Sequence, residues 1–507
     1  MGPSFGLGFG MARLIELPQT PRGLSDYEAL AHLAPAVREL CGEAVAVARE
    51  LEGQTVWMVN STPRGGGVAE MLPGLVTLLR ELGVRTEWVV IESEDPAFFA
   101  LTKRLHNLIH GAGDPGLGAG ERATYEHTNR ENAAFLCKRM RPGDLLVVHD
   151  PQPMPLAHIL REQLDIAAVW RCHIGLDEDN AQTRAAWDFL APYAGAYDHA
   201  VFSAPEYIPD TFARRSSLIY PGLDPLADKN RDLHLHKLVG ILADSTLAVA
   251  PSPLVSTRFS GNAKRLHPHG RFAIASAGDD IGLLTRPIVT QVSRWDGLKG
   301  FLPLLSAFAC LKGRLCARPD GADPDHRRRL KLARLVLAGP DPSSVADDPE
   351  EDQVLESLRR AYLDLDPIVQ DDVAIVTLPM ESERENALMV NALQRASTVV
   401  VQNSLREGFG LTIAEAMWKR IPVVSNQRAC GPRQQIRGGI DGHLVEDPED
   451  VEALASCLDA VLADSVARER WGRSAQRRAH DKFLIFSQLS SWLAVLADLA
   501  ARRRRPA

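Results

Sequence analysis

The chain lacks the cysteine pattern of a zinc site or a disulfide framework. Its seven cysteines are scattered along 507 residues, and no two of them form a Cys-x-x-Cys pair. Paired spacings of that kind mark zinc sites, and dense, even-numbered cysteines mark small secreted scaffolds. We therefore expect no metal site and no disulfides, and the reducing cytoplasm is the compartment that fits best.

Long apolar runs and an excess of positive charge are also missing. No stretch approaches the roughly 18 consecutive apolar residues of a membrane helix, and the glycine-rich residues 1–11 lack the charge and apolar core of a signal peptide. The formal net charge of -8 argues against a general nucleic-acid binder. We expect a cytoplasmic protein with small-molecule partners, without nucleic acid or membrane, and a homodimer is compatible with the sequence.

The pattern along the chain predicts an α/β fold with two doubly wound, Rossmann-like domains that face a cleft. At 507 residues the chain is too long for one hydrophobic core. Short apolar, β-branched runs alternate with longer helical patterns, which is typical of parallel α/β units. The predicted strands are Thr55–Val59, Glu87–Ile91, Leu145–Val148, Ala167–Trp170, Ala200–Phe202 and Leu218–Tyr220, then Ile288–Val292, Leu335–Ala338, Val373–Leu378, Thr398–Gln402, Val423–Ser425 and His443–Val445.

Domain boundaries follow from the segments between these runs. The predicted divisions are 1–224 for the N-terminal domain, 225–286 for a hinge and insertion, 287–482 for the C-terminal domain, and 483–507 for a C-terminal helix with a basic tail. Segment 241–282 is weakly patterned and rich in Ser, Ala, Gly and Pro, so we interpret most of it as a surface excursion. We expect the C-terminal helix to cross back and pack on both domains, and Arg502–Arg505 to be a solvated tail.

The most informative motif is Arg406–Glu415. Glu407 and Glu415 stand on either side of a Gly-x-Gly turn that opens a helix. Glycines at 408 and 410 let backbone N–H groups approach a ligand closely, and the start of the helix offers unpaired donors that suit a diphosphate. Two carboxylates suit hydroxyl groups on both sides of that diphosphate. The motif therefore predicts a nucleotide-sugar site.

Two cations, Arg294 and Lys299, follow the strand at Ile288–Val292 on a strand-to-helix loop. Cations at this position can neutralise a diphosphate leaving group, on which charge grows in the transition state. Alone, they are better explained as surface cations at the start of a helix. Combined with the Glu407 motif on a later unit of the same sheet, they favour a donor site.

Three consecutive glycines, Gly65, Gly66 and Gly67, follow the first predicted strand and lead into an apolar helix. Such a run is typical of backbone that presses against a ligand, although a plain tight connection explains it equally well. No Gly-Lys-Ser/Thr follows the glycines, so the loop is not a Walker phosphate loop.

Polar side chains follow two strands of the N-terminal sheet. His149, Asp150 and Gln152 come after one strand, and Arg171 and His173 come at the end of the next. Ligands of open α/β sheets bind beyond the carboxyl ends of the strands. We interpret these residues as a substrate-binding set, in which Asp150 accepts from hydroxyl groups and His173 donates near the transferred sugar.

At these residues the sequence resembles the GT-B glycosyltransferases of family 4, and within them the trehalose-forming synthases. The matching motifs are Asn60–Thr62, Gly65–Glu70, Phe98–Phe99, Thr102–Lys103, His106–Asn107, Asn129–Asn132, His149–Pro153, Trp170–Ile174, Asp224–Leu226, Lys229–Asn230, Val292–Asp296 and Ser404–Trp418. The second-domain motifs indicate the broad family, and the N-terminal ones indicate the trehalose-forming subgroup.

The resemblance implies transfer of glucose from a nucleoside-diphosphate glucose to the anomeric hydroxyl of free glucose, which gives α,α-trehalose with retention. It implies a reaction on one face of the donor, in which the leaving phosphate helps to deprotonate the acceptor and no covalent enzyme intermediate forms. No cofactor is then required, and Mg²⁺ is compatible but not essential.

Carried over by motif, the resemblance divides the site residues between the two domains. The implied donor-binding residues are Arg294, Lys299, Glu415, Gly408, Phe409, Gly410, Leu411, Thr412, Gly66 and Gly67. The implied acceptor-binding residues are His149, Asp150, Gln152 and Arg171. Glu407, His173 and Asp150 are the predicted catalytic residues.

Two departures from the subgroup leave the acceptor open. Gly175 stands where the subgroup usually carries an acid, and Arg64 stands before the glycines where an aromatic residue is common. An arginine there suits a phosphorylated or acidic acceptor, so transfer to a sugar phosphate or another small sugar is one alternative. Phosphorolysis of trehalose by an enzyme of similar shape is a second, and a binding or regulatory protein without turnover is a third.

Overall fold

A computed structural model describes residues 12–17, 22–63, 67–250, 259–277, 280–317, 323–342 and 349–504. These residues form two compact units. Unit 1 contains the described residues up to Gly222 together with those from Ile485 onward, and unit 2 contains Leu223–Leu484. Each unit has its own open sheet.

The sheet of unit 1 has seven strands. They are β1 (Arg13–Leu14), β2 (Val56–Asn60), β3 (Thr86–Val90), β4 (Leu145–His149), β5 (Ala167–Arg171), β6 (His199–Phe202) and β7 (Ser216–Leu218). Their spatial order is β1-β3-β2-β4-β5-β6-β7, and the neighbours pair in parallel except β1, which is antiparallel to β3. The order reverses at β2, whose neighbours are β3 and β4, so the loops after β2 and β4 flank a topological switch point.

Helices connect the strands of unit 1. They are α1 (Leu24–Glu28), α2 (Ala34–Glu50), α3 (Gly67–Glu81), α4 (Pro96–Ile109), α5 (Ala119–Cys137), α6 (Leu156–Leu160) and α7 (Ala181–Ala194). Local sequence explains where two of them start. Asp95 accepts from the Ala97 N–H ahead of α4, and Asn180 accepts from the Thr183 N–H ahead of α7, both at 2.9 Å.

Unit 2 has eight strands and ten helices among the described residues. The strands are β8 (Lys264–Leu266), β9 (Phe272–Ile274), β10 (Ile288–Val292), β11 (Arg334–Pro340), β12 (Val373–Leu378), β13 (Val399–Val401), β14 (Val423–Asn426) and β15 (Gly442–Val445). The helices are α8 (Leu235–Asp244), α9 (Phe301–Ala317), α10 (Pro324–Leu332), α11 (Pro349–Leu363), α12 (Pro367–Gln370), α13 (Glu383–Ala396), α14 (Leu411–Trp418), α15 (Cys430–Gln435), α16 (Val451–Ala463) and α17 (Ser465–Lys482).

The strand order of unit 2 is β15-β14-β13-β10-β11-β12-β8-β9. The six strands from β10 to β15 are parallel, and β8 joins β12 in antiparallel orientation. This is the Rossmann order, with the switch point between β10 and β13. The loops after these two strands are therefore the first place in unit 2 to look for a ligand site.

The two predicted doubly wound sheets are confirmed, and every predicted strand overlaps a strand of the structure. The largest displacement is at Leu218–Tyr220, where the observed strand β7 ends at Leu218. Strands such as β2, β4 and β5 are buried along their whole length. Because parallel strands covered on both faces are continuously apolar, these runs were readable from sequence.

The interpretation of 241–282 as a surface excursion is wrong for the described part of that segment. Leu242, Leu247 and Ala263 are fully buried and belong to the same apolar cluster as Ile288 of β10. Strands β8 and β9 have three residues each. Elements this short contain too few residues to show a periodicity, so burial was not visible in the sequence.

The last helix, α18 (Ile485–Arg504), belongs to unit 1. Its residues Leu489, Trp492, Leu493 and Leu496 are at most 1% exposed. The prediction of a solvated tail is wrong at Arg503, which continues the helix and forms an ion pair with Asp165 at 2.6 Å; Arg505 lies outside the described residues. Of the helices in the described ranges, none is both long and apolar enough to cross a bilayer.

Candidate functional site

The loops that follow β10 and β13 bring Lys299 and Glu407 together at the switch point of unit 2. Lys299 ends a single 3-10 turn, Gly297–Lys299, which starts where the Asp296 carboxylate accepts from the Leu298 N–H at 2.7 Å. The Nζ atom of Lys299 lies 2.8 Å from Oε2 of Glu407. Both side chains are about 15% exposed, at 16% and 15%. The structure thus joins two residues that the sequence assigned to one donor site.

Polar residues at the strand ends hold this pair in place. The Gln291 amide donates to the carbonyl of Lys299 at 2.7 Å and accepts from the Asn403 N–H at 3.0 Å. The Ser404 hydroxyl donates to Oε2 of Glu407 at 3.1 Å. Sequence reasoning missed Gln291, Asn403 and Ser404. The available signal was their position, because each is a polar residue at the carboxyl end of an apolar strand.

The Gly-x-Gly turn opens α14 as the motif predicts. Gly410 has φ of 85°, in the left-handed region that favours glycine, and it caps the helix. The carbonyl of Phe409 accepts from the Gln435 amide. Leu411 and Thr412, in the first turn, are half-buried. The turn therefore places the N-terminal backbone N–H groups of α14 a few residues after Glu407.

Glu415 lies one turn into α14 in a separate buried polar cluster. Its carboxylate accepts from the Gln394 amide at 3.4 Å and lies 4.0 Å from Nζ of Lys229. Lys419 donates to the same Gln394 at 2.5 Å. Burial lowers the pKa of Lys419 to about 7, and the nearby Glu415 carboxylate opposes that shift. The predicted contact of Glu415 with a ribose stays a prediction.

Two other predicted donor residues differ in placement from Lys299. The Arg294 side chain is 69% exposed and lies 3.8 Å from the Asp296 carboxylate. Gly67 is the exposed first residue of α3. Gly66 and Arg64 lie outside the described residues. The structure therefore distinguishes an enclosed cation, Lys299, from an open one, Arg294.

In unit 1, the loops after β4 and β5 bring His149 and His173 together. Nδ1 of His149 lies 3.0 Å from Nε2 of His173, and the rings stack with centroids 5.3 Å apart. Burial lowers the pKa of both imidazoles, that of His149 to about 3. Both rings are therefore neutral at neutral pH, and one proton lies between them.

Asp150 lies beside this pair in an unusual backbone conformation. Its φ is 64°, and aspartate tolerates this left-handed region better than most residues. Its Oδ1 accepts from the His173 N–H at 2.8 Å, and its carbonyl accepts from the Trp170 indole at 2.9 Å. Burial raises the pKa of the Asp150 carboxyl to about 6, against the opposing effects of the His173 N–H and Arg171.

Two predicted acceptor-binding residues are more enclosed. Arg171 is fully buried, and it donates to the Ser203 hydroxyl at 3.1 Å and to the Ile219 carbonyl at 2.8 Å. Burial also lowers the pKa of Arg171 to about 10. Direct contact between Arg171 and an acceptor finds no support in this placement. Gln152 is half-buried, and its backbone carbonyl accepts from the Asn129 amide at 3.2 Å.

Packing explains one departure noted in the sequence. A Cβ atom at position 175 would overlap the ring of Tyr207, which is 4% exposed. Glycine at 175 is therefore required for the Tyr207 ring to lie where it does.

Within the described residues, no group of three or more His, Cys, Asp or Glu side chains is placed to hold a metal ion.

Comparison with known proteins identifies the family to which this chain belongs. Residues 58–209 match the family model for the trehalose synthase N-terminal domain, and residues 376–478 match that for glycosyl transferases group 1. The chain is 31% identical to the trehalose synthase of Pyrococcus horikoshii over 491 residues, which cover 96% of this chain and 99% of that protein. The chain belongs to the trehalose synthase family. It is a GT-B glycosyltransferase of trehalose metabolism.

This member of the trehalose synthase family also resembles more distant proteins. The chain is 25% identical to the trehalose phosphorylase of Grifola frondosa over 461 residues, covering 87% of this chain and 57% of that protein. A solved α,α-trehalose 6-phosphate synthase from Burkholderia multivorans matches with a TM-score of 0.60 and 17% identity, covering 90% of this chain and 99% of that one. That structural likeness shows the two-domain GT-B fold.

Proposed function

We propose that this member of the trehalose synthase family transfers glucose from a nucleoside-diphosphate glucose to the anomeric hydroxyl of free glucose, forming α,α-trehalose with retention. The observation that carries the proposal is the Lys299–Glu407 pair at the switch point of unit 2, 2.8 Å apart. An enclosed ammonium next to the start of a helix suits a diphosphate. A near full-length match to a protein named trehalose synthase supports the products.

On the donor side, Lys299 would neutralise charge on the departing diphosphate. At 16% side-chain exposure, its ammonium interacts more strongly with a ligand charge than a fully solvated cation does. Glu407 orients that ammonium through the 2.8 Å contact of its Oε2 atom. Because Lys299 supplies positive charge at the leaving group, we expect transfer to proceed without added metal.

On the acceptor side, the unit 1 cluster offers hydrogen bonds without a fixed charge pair. His149 and His173 are neutral, and the Asp150 carboxylate can accept from a hydroxyl group. Enclosed hydrogen-bonding groups of this kind suit an uncharged sugar. We therefore assign free glucose, rather than a sugar phosphate, to this cluster.

The bond between the anomeric carbon of the donor glucose and the diphosphate oxygen breaks, and its electron pair leaves with the nucleoside diphosphate. The anomeric oxygen of the acceptor glucose forms the new bond on the same face. Its proton passes to the departing phosphate oxygen, so no enzyme group is covalently modified.

The test is incubation of the purified protein with glucose and, in turn, ADP-, GDP- and UDP-glucose, with and without EDTA. We expect a non-reducing disaccharide and one equivalent of nucleoside diphosphate with at least one donor, at a rate that EDTA leaves unchanged. Lys299→Ala serves as the inactive control. Absence of nucleotide release with every donor would contradict the proposal, and release only with glucose 6-phosphate would reassign the acceptor.

Phosphorolysis is the second candidate, because the chain resembles a protein named trehalose phosphorylase over 87% of its length. Incubation with trehalose and inorganic phosphate distinguishes the two activities. Formation of glucose 1-phosphate without any nucleotide would favour phosphorolysis. Formation of a nucleoside-diphosphate glucose only when a nucleoside diphosphate is added would favour the transferase run in reverse.

A further inference from the structure

Helix α18 carries two polar side chains, Gln488 and Trp492, one helical turn apart. Both are buried, at 2% and 1% exposure. The indole ring of Trp492 packs beside the imidazole of His149, with centroids 6.4 Å apart and planes tilted by 46°. The last helix of the chain therefore contacts the histidine pair of unit 1.

Each of these two rings has a buried nitrogen without a hydrogen-bond partner among the described residues. The two nitrogens are the indole Nε1 of Trp492 and Nε2 of His149. An indole nitrogen can only donate, whereas an imidazole nitrogen donates or accepts according to its tautomer. The two atoms are complementary only when Nε2 of His149 carries no proton.

The position of every proton in the pair follows from that condition. Each ring is neutral and has a single N–H, because burial lowers both pKa values. With Nε2 of His149 unprotonated, its Nδ1 carries the proton and donates to Nε2 of His173 across 3.0 Å. His173 must then carry its own proton on Nδ1.

We propose that Trp492 is a positioning residue that fixes these tautomers, so that the half-buried His173 presents an Nδ1–H donor to a bound sugar hydroxyl. The mention of a sugar rests on the proposed function, whereas the proton positions do not. The reverse arrangement protonates His149 at Nε2 and uses Oε1 of Gln488, also buried without a partner among the described residues, as the acceptor. It would leave His173 with an accepting Nδ1.

The test is long-range ¹H–¹⁵N NMR of the full chain labelled with ¹⁵N-histidine, at neutral pH. His149→Gln and His173→Gln assign the two signals. We expect both rings in the Nδ1–H form in the wild type. In Trp492→Phe, which keeps an aromatic ring and removes the donor, we expect this preference to fall about fivefold to tenfold, the equilibrium effect of one hydrogen bond.

The matched control is Trp57→Phe, which removes the indole donor to the Asp144 carboxylate, 2.9 Å away elsewhere in unit 1. It should leave both histidine signals unchanged. A wild-type His149 protonated at Nε2 would overturn the proposal even if Trp492→Phe failed to fold. Unchanged histidine signals in a folded Trp492→Phe protein would overturn it as well.

Glucose transfer measured on the same samples separates this inference from the proposed function. The expected tautomers in a protein that transfers no glucose would reject the proposed function alone. Reversed tautomers in an active enzyme would reject the role of Trp492 alone. If both hold, we expect Trp492→Phe to lower kcat/KM for glucose about fivefold and leave KM for the donor unchanged.

Discussion

The switch-point loops of the two units hold polar groups of different electrostatic character. In unit 2, Lys299 and Glu407 form an ion pair that is about 15% exposed. In unit 1, His149 and His173 are neutral, and burial raises the pKa of Asp150 to about 6. The strand ends thus carry an ion pair in unit 2 and desolvated hydrogen-bonding groups in unit 1. The difference suits one unit to a charged diphosphate and the other to an uncharged sugar.

The largest expected effect comes from breaking the charged pair. Lys299→Ala should lower kcat/KM for nucleotide-sugar transfer by about 10³-fold, the scale of removing a group that stabilises transition-state charge. Release of nucleoside diphosphate measures it. Arg360→Ala, which removes an exposed cation paired with Glu356, is the matched control in the same unit. A loss below tenfold in folded Lys299→Ala would mean that unit 2 does not depend on its charge pair.

The next effect concerns Asp150 and the free energy of unfolding. Its folded pKa of about 6 exceeds the ordinary value of 3.8, so between these pH values the folded state holds a proton that the unfolded state releases. The protonated carboxyl favours the fold at low pH, and this contribution is lost as pH rises through 6. Asp150→Asn lacks that loss, so its stability relative to wild type should rise by about 2 kcal/mol from pH 4 to pH 7.

Urea unfolding at several pH values measures this difference. Asp498→Asn, which removes one half-exposed carboxylate from α18 of the same unit, is the matched control. A constant difference between Asp150→Asn and wild type would show that Asp150 is not desolvated. The proposed difference between the ion pair of unit 2 and the desolvated groups of unit 1 would then lose its support in unit 1.

A smaller effect is expected at Glu415. Glu415→Gln keeps a side chain that can bond to a ribose hydroxyl but removes its charge next to Lys229 and Lys419. We expect KM for the nucleotide-sugar to rise about tenfold with little change in kcat. Initial-rate kinetics with varied donor measure the split. An unchanged KM would place the ribose elsewhere.

The smallest effect is expected at Arg294, because its side chain is 69% exposed. Exposed charges are screened by solvent and salt, so Arg294→Ala should raise donor KM about fivefold or less. Raising the ionic strength should narrow the gap between this variant and wild type. A loss of kcat/KM as large as that of Lys299→Ala would show that the lower exposure of Lys299 does not make it contribute more than Arg294.

Local signals in the sequence account for the sheets and for much of the candidate site. Continuous apolar runs marked the buried parallel strands. Lys299, His149 and His173 were predicted from their positions after such runs, and Glu407 from the Gly-x-Gly turn that follows it. The prediction for segment 241–282 was wrong for the opposite reason, because β8 and β9 are too short to show a periodic pattern. Trp492 lies in the predicted C-terminal helix, but its contact with His149 joins residues far apart in the chain. No local pattern encodes such a contact.

The membership of α18 in unit 1 has a consequence for biosynthesis. Unit 1 is assembled from the beginning and the last described helix of the chain, whereas unit 2 is one continuous stretch. Because chains emerge from the ribosome N-terminus first, the strands of unit 1 are made long before its last described helix, and unit 1 is completed only after all of unit 2 has been made. A premature stop codon just before Ile485 would therefore damage the part of the protein that was made first.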